Sequence, residues 1–175
     1  MEASRRWRVA GRWGALVTQG RLVNVPARGT LAAASVSHAV VAEAQTAYLA
    51  GHNTWGQLGQ GRTSVWGTAR IVLPDRIVSA AAGLGFTCLA TSDALYVSGT
   101  NVRGQMGLDQ ERGSLSFQRL ALPAVRSVCA GLDHMLVLAG AQVWACGLHT
   151  DRKLGVPSHA PYLSTLERVA IPLAG

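Results

Sequence analysis

Three segments of this chain copy one another at a spacing that never slips. Tyr48 to Gly59 reads YLAGHNTWGQLG, Tyr96 to Gly107 reads YVSGTNVRGQMG, and Trp144 to Gly155 reads WACGLHTDRKLG. Gly51, Gly99 and Gly147 therefore stand 48 residues apart, as do Gly59, Gly107 and Gly155. A fixed period of this size means that one supersecondary unit is used repeatedly, which restricts the fold to a solenoid, an array or a propeller.

The register also runs backwards. A step of 48 pairs Trp7 with Trp55, Gly11 with Gly59, Pro26 with Pro74, and the alanines 32–34 with 80–82. Residues 1–47 read as a degenerate N-terminal repeat with a basic leader. Repeats follow over 48–95 and 96–143, with an incomplete one over 144–175, all in one domain of roughly 3.6 units.

Each unit has an internal plan. An aromatic-led apolar run such as Leu95-Tyr96-Val97 meets a glycine-rich turn and a polar loop, then an apolar run closed by proline, Ile71 to Pro74. A small-residue stretch, Ala80 to Gly83, and the strand-like Phe86 to Ala90 complete it. Short β-branched and aromatic runs punctuated by Gly, Pro, Asp and Ser predict strands, and no sustained helical period competes with them. Four short strands per unit fit the blade of an all-β propeller. The recurring small residues belong on innermost strands crowded around an axis. Gly51, Gly56, Gly59, Gly99, Gly104, Gly107, Gly147 and Gly155 are read as structural turn positions where a side chain would not fit.

The segments GHNTWGQLGQG and GTNVRGQMG, with AAGLGFTCLA and CAGLDHMLVLA after each loop, resemble the repeats of the regulator of chromosome condensation family. The resemblance is strong over Tyr48–Gly155 and weak in the flanks. It implies propeller blades, since complete domains of that family are seven-bladed rings. WD-type repeats have a shorter period, and kelch repeats, near 50, remain the fold-level alternative. Two departures stand out. Fewer than four units do not close a seven-bladed ring, so the expectation is a fragment of a larger propeller, a homodimer of half-rings, or an open segment. Arg152 and Lys153 also replace the Gly104-Gln105 pair in the third copy, where a strained or re-aimed turn is expected.

Composition bounds the function classes. Hydrophobic residues make up 49% of the chain, enough for a core, and no window approaches a membrane-spanning length of apolar residues. Cys88, Cys129 and Cys146 form neither an even framework nor a C-x-x-C pair, so a reduced compartment and apolar packing are expected. The net charge of +7 is carried mostly by arginine, Lys153 being the one lysine, and favours acidic partners. Up to Val41 the only acid is Glu2, against six arginines, a composition that also fits a mitochondrial transit peptide. Because the repeat register runs through that leader, the cytoplasm or nucleus is the expected location and mitochondria the alternative. No basic and aromatic stripe marks a nucleic-acid surface.

No motif for hydrolysis or redox chemistry is present: the five histidines lack metal spacing, and there is neither G-x-S-x-G nor a phosphate loop. No metal or cofactor is expected. His38 and His134 share a repeat phase with Phe86 between them, which points to burial. Asp133 differs. Its counterparts are Ser37 and Gly85, so the repeat does not itself require a carboxylate, and a turn beside the small-residue strand places it on one face near the axis.

The family resemblance gives that position a meaning. Gly131-Leu132-Asp133-His134 is similar to the G-x-D-H turn that, in the family's founding exchange factor, presents an acidic residue to a small GTPase. It implies guanine-nucleotide exchange on a small GTPase, with Asp133 and His134 as partner-binding residues and the loop arginines Arg103 and Arg112 beside them. The alternative is a non-catalytic scaffold whose arginines dock an acidic protein or chromatin surface.

Overall fold

The computed structural model describes residues 31–170. The leader arginines up to Arg28 and the pairings of Trp7, Gly11 and Pro26 lie outside the described residues. Within them the chain forms twelve strands in three antiparallel sheets of four, ordered β1-β2-β3-β4, β5-β6-β7-β8 and β9-β10-β11-β12. The first sheet comprises β1 (Leu31–Ala34), β2 (His38–Glu43), β3 (Thr46–Asn53) and β4 (Ser64–Val72). The second comprises β5 (Ser79–Ala82), β6 (Phe86–Ala90), β7 (Ala94–Gly99) and β8 (Ser114–Ala121). The third comprises β9 (Val125–Ala130), β10 (His134–Ala139), β11 (Gln142–Leu148) and β12 (Tyr162–Arg168), with a 3-10 turn at Thr150–Arg152 before β12. This is the meandering blade of a propeller, and the described residues form part of a ring.

The small-residue strands come first in each sheet and meet one another. β5 lies beside both β1 and β9. Ser79 Oγ accepts from the Val128 N–H at 3.1 Å, and the Leu84 N–H donates to the Leu132 carbonyl at 2.9 Å. Alanines at this position let the strands converge where longer side chains would collide.

The core lies between blades rather than within any one of them. Val40, Leu49, Leu58, Ile77, Leu89 and Tyr96 fill the space between the first and second sheets. Phe86, Cys88, Val97, Met106, Met135 and Val137 fill that between the second and third. The middle blade shows the consequence: every residue of β6 and β7 is buried, whereas β3 alternates buried and half-buried because one of its faces has no neighbour among the described residues. At about 1.5–3 kcal/mol for each fully buried large apolar side chain, these two layers are the main stabilising term.

Successive blades are also latched in one direction. The loop after β3 pairs with the outer strand of the next blade, Gly61 N–H donating to the Leu115 carbonyl at 2.8 Å. The loop after β7 repeats this, Asp109 N–H to the Ser164 carbonyl at 3.0 Å. Side chains of the following blade aim at the equivalent loop carbonyl: Thr87 and Ser98 donate to Gln57 O at 2.6 and 3.3 Å, and Cys146 Sγ alone lies 3.5 Å from Gln105 O.

The cysteines divide. Cys88 and Cys146 are buried as expected, and burial pushes both thiols up, Cys146 to about 12. Cys129 corrects the expectation of apolar packing: it is exposed, because its counterpart Ala81 is covered by the blade that follows, whereas no described residue covers the same side of the third blade.

Candidate functional site

The turns after the innermost strands and the loops after the third strands emerge at the same end of the antiparallel sheets, so they share one face. They are fastened to each other there. The N–H of His52, Thr100 and Leu148 donates to the carbonyl of Ser37, Gly85 and Asp133 at 2.9, 2.9 and 2.7 Å. That contact leaves no room for a side chain on the preceding residue. Gly99, at φ 115°, would drive a Cβ into the Gly85 carbonyl, and Gly147, at φ 101°, would drive one into that of Asp133. Gly51 sits likewise against Ser37 at φ 137°. The loop glycines Gly56, Gly59, Gly104, Gly107 and Gly155 all have φ between 68° and 78°.

Asp133 occupies the β9–β10 turn, which the Gly131 N–H closes onto the His134 carbonyl at 2.9 Å. Its backbone is thus held at both sides, while the residue is half-buried and its carboxylate makes no hydrogen bond or ion pair with a described residue. His134 has its ring over Gly131, as Phe86 has over Gly83, so the imidazole takes the place of a packing aromatic. Its Nδ1 is buried without a partner among the described residues. Burial first and Lys153 second lower its pKa, against the opposing pull of Asp133.

Arg103 and Arg112 are both exposed, on the loop between β7 and β8. The loop segment leading to Arg112 runs along the outer strand of the third blade, where Tyr162 Oη donates to Glu111 at 3.2 Å. Asp133 and Arg112 therefore share the face but sit at its inner and outer radii.

His38 is wholly buried and belongs to the inter-blade contact. Thr87 spends its hydroxyl proton on Gln57 O, so Thr87 Oγ1 accepts from His38 Nε2 at 2.7 Å, and His38 Nδ1 accepts from Ser37 Oγ at 2.9 Å. Burial lowers its pKa to about 4. The third-copy loop keeps the turn hydrogen bonds of the others, Arg152 N–H to the His149 carbonyl and Gly155 N–H to that of Arg152, but departs from their path at Asp151, whose counterparts Trp55 and Arg103 are not left-handed. Arg152 adopts φ 54°, near the 69° of Gly104, and Asp151 adopts 59°. Two side-chain-bearing residues there occupy a conformation that costs about 1–2 kcal/mol each.

Sequence reasoning missed the apolar part of this face. Val36 and Leu132, at 69% and 57% exposure, share a repeat phase with Leu84. The ring of Trp55 lies over Gly85 beside them. Aligning the copies shows the aliphatic at 36, 84 and 132, but only the structure shows it uncovered. A hollow of about 620 Å3 opens at the opposite end of the third blade, lined by Leu138, Gln142, Val143, Arg168 and Val169. Among the described residues no group of three or more His, Cys, Asp or Glu could hold a metal, and no helix is long and apolar enough to cross a membrane.

No protein-family model matches the chain, and no curated protein matches it. Solved structures do. Human WBSCR16 superposes with a TM-score of 0.73 at 21% identity, over 88% of this chain and 44% of that one. Prp20p of Saccharomyces cerevisiae, described together with its binding to Gsp1p and histones, gives 0.71 at 20% identity, over 82% and 39%. Yeast RCC1 (Prp20) bound to Kap60 gives 0.70 at 20% identity, over 82% and 37%. The described residues share the fold of consecutive blades of these RCC1-type β-propellers. The chain spans less than half the length of these propellers.

Proposed function

We propose that this chain is a regulatory protein-binding propeller module whose Asp133 face engages a small GTPase and promotes guanine-nucleotide exchange. The observation that carries this reading is a carboxylate held at the face by a fixed turn, without a hydrogen bond or ion pair to a described residue, where Ser37 and Gly85 show that the fold needs none. The binding of Prp20p to Gsp1p and histones supports a protein partner. Exchange needs no covalent step and no cofactor. A face that binds the nucleotide-free GTPase more tightly than the loaded one shifts the equilibrium toward release, and charge complementarity sets its register. Exposed Arg103 and Arg112 would steer the acidic parts of such a partner.

A second reading rests on the same arginines: a scaffold that docks an acidic protein or chromatin surface without exchange. The cytoplasm or nucleus is the proposed location, and mitochondria are the alternative. The ring would be completed by further blades or by a second copy, which light scattering on the purified chain separates.

The deciding assay is release of a fluorescent guanine nucleotide from a panel of small GTPases. Wild-type chain should accelerate it and Asp133→Ala should not, with the fold intact. If no GTPase responds while capture of acidic proteins depends on Arg103 and Arg112 and ignores Asp133, the scaffold reading replaces exchange.

A further inference from the structure

Each loop that follows a repeat glycine is clasped by a single buried side chain, and the third loop uses a different chemistry. In the first, Asn53 Oδ1 accepts from the Leu58 N–H at 3.0 Å and Nδ2 donates to the Arg62 carbonyl at 2.9 Å. In the second, Asn101 Oδ1 accepts from the Met106 N–H at 2.7 Å and Nδ2 donates to the Gln110 carbonyl. One period on stands His149. Its Nδ1 accepts from the Leu154 N–H at 3.4 Å and its Nε2 donates to the Ser158 carbonyl at 3.2 Å.

An amide N–H only donates and a carbonyl only accepts, so both bonds exist only with the ring neutral and its proton on Nε2. Asparagine performs the same double role at any pH. We propose that His149 makes the third loop a proton-sensitive clasp. A proton taken from water onto Nδ1 turns the acceptor into a donor, sets two N–H groups against each other, and frees residues 150–158.

The loop is built to respond. Asp151 and Arg152 are both left-handed, so opening relieves backbone strain that glycine would have avoided. Leu154 and Val156 pack with Ala145 and Leu163, and that small cluster loosens when the loop leaves. The charged and titratable groups of the neighbouring elements are Asp151, Arg152, Lys153 and His159 in its own loop, Asp133 and His134 on the β9–β10 turn, and Tyr162 at the start of β12, bonded to Glu111 of the β7–β8 loop. Acid favours the open loop because only the open form offers the charged ring two acceptors. The clasp operates whether or not Asp133 meets a GTPase.

Amide hydrogen exchange on the purified chain, at about pH 7.5 and about pH 5, tests this. The non-titrating clasps supply internal controls in the same molecule. Protection of the Leu154 amide, corrected for intrinsic exchange, should fall at least about tenfold on acidification, while Met106 and Leu58 hold theirs. His149→Asn should abolish the fall, and His134→Phe should preserve it. Leu154 tracking Met106 at both pH values would overturn the proposal, as would a fall that persists in His149→Asn. Should His149→Asn fail to fold, the wild-type comparison of Leu154 with Met106 still decides.

Discussion

His38 in the first blade reaches across to Thr87 in the second, its Nε2 2.7 Å from the Thr87 Oγ1. Because Thr87 passes its own proton to Gln57 O, the pair forms part of a relay joining Ser37, one imidazole, one hydroxyl and one loop carbonyl. Thr87→Val would leave the buried His38 N–H without its acceptor and the Gln57 carbonyl with Ser98 Oγ alone. The expected loss is about 1–3 kcal/mol, read from urea denaturation. No loss would mean that water or a rearranged loop fills the gap.

The same residue predicts an acid-sensitive stability. Its folded pKa, about 4, lies below the ordinary imidazole value of about 6.5, so the unfolded chain binds the proton more readily. Its contribution is complete above about pH 6.5 and declines by roughly 3 kcal/mol in all as the pH falls toward about 4. His38→Phe, which installs the residue found at the same phase in the second blade, should flatten this part of the pH–stability curve.

Gly99→Ala meets two penalties at once, the left-handed backbone and a Cβ aimed at the Gly85 carbonyl. Destabilisation of about 3 kcal/mol or more is expected. Gly140→Ala is the control: its φ is also positive, at 58°, but nothing stands within 4 Å of an added Cβ. It should cost only about 1–2 kcal/mol.

Arg152→Gly should stabilise the chain by about 1 kcal/mol, since a positive φ at that position costs glycine nothing. Thermal melts of the variant beside wild type check the sign.

Thiol titration of the native chain should find one fast cysteine. Cys129 is exposed, whereas Cys88 and Cys146 are buried thiols held in their protonated form. The other two should react only on unfolding. A second fast thiol would show that the layer between the second and third blades opens readily.

The blades were legible because their defining signals are local and periodic. Alanines mark the inner strands, proline closes the apolar run, and glycines recur where a turn crosses its neighbour. The asparagine clasps were equally visible in GHN and GTN, yet their job was not, since spacing alone does not show which amide a side chain meets. His149 is silent in the sequence for the same reason: it has no metal spacing, and its bonds to Leu154 and Ser158 exist only once the loop turns back. Cys129 went wrong because a strand's face depends on what lies opposite. Asp133 stood out by failing to repeat, which singles out a residue without naming its partner.

The one-way latches bear on synthesis. Each loop closes on an outer strand made later, Gly61 on Leu115 and Asp109 on Ser164, so a blade emerging from the ribosome carries its fastener before the surface it fastens to exists. Until the next blade is complete, Gln57 or Gln105 and the apolar side chains beside it face water. The pause lasts about one repeat length of translation, a few seconds at ordinary rates of elongation. A chaperone that recognises nascent chains would meet the same exposed loop once per blade, always on the side facing the chain still to come.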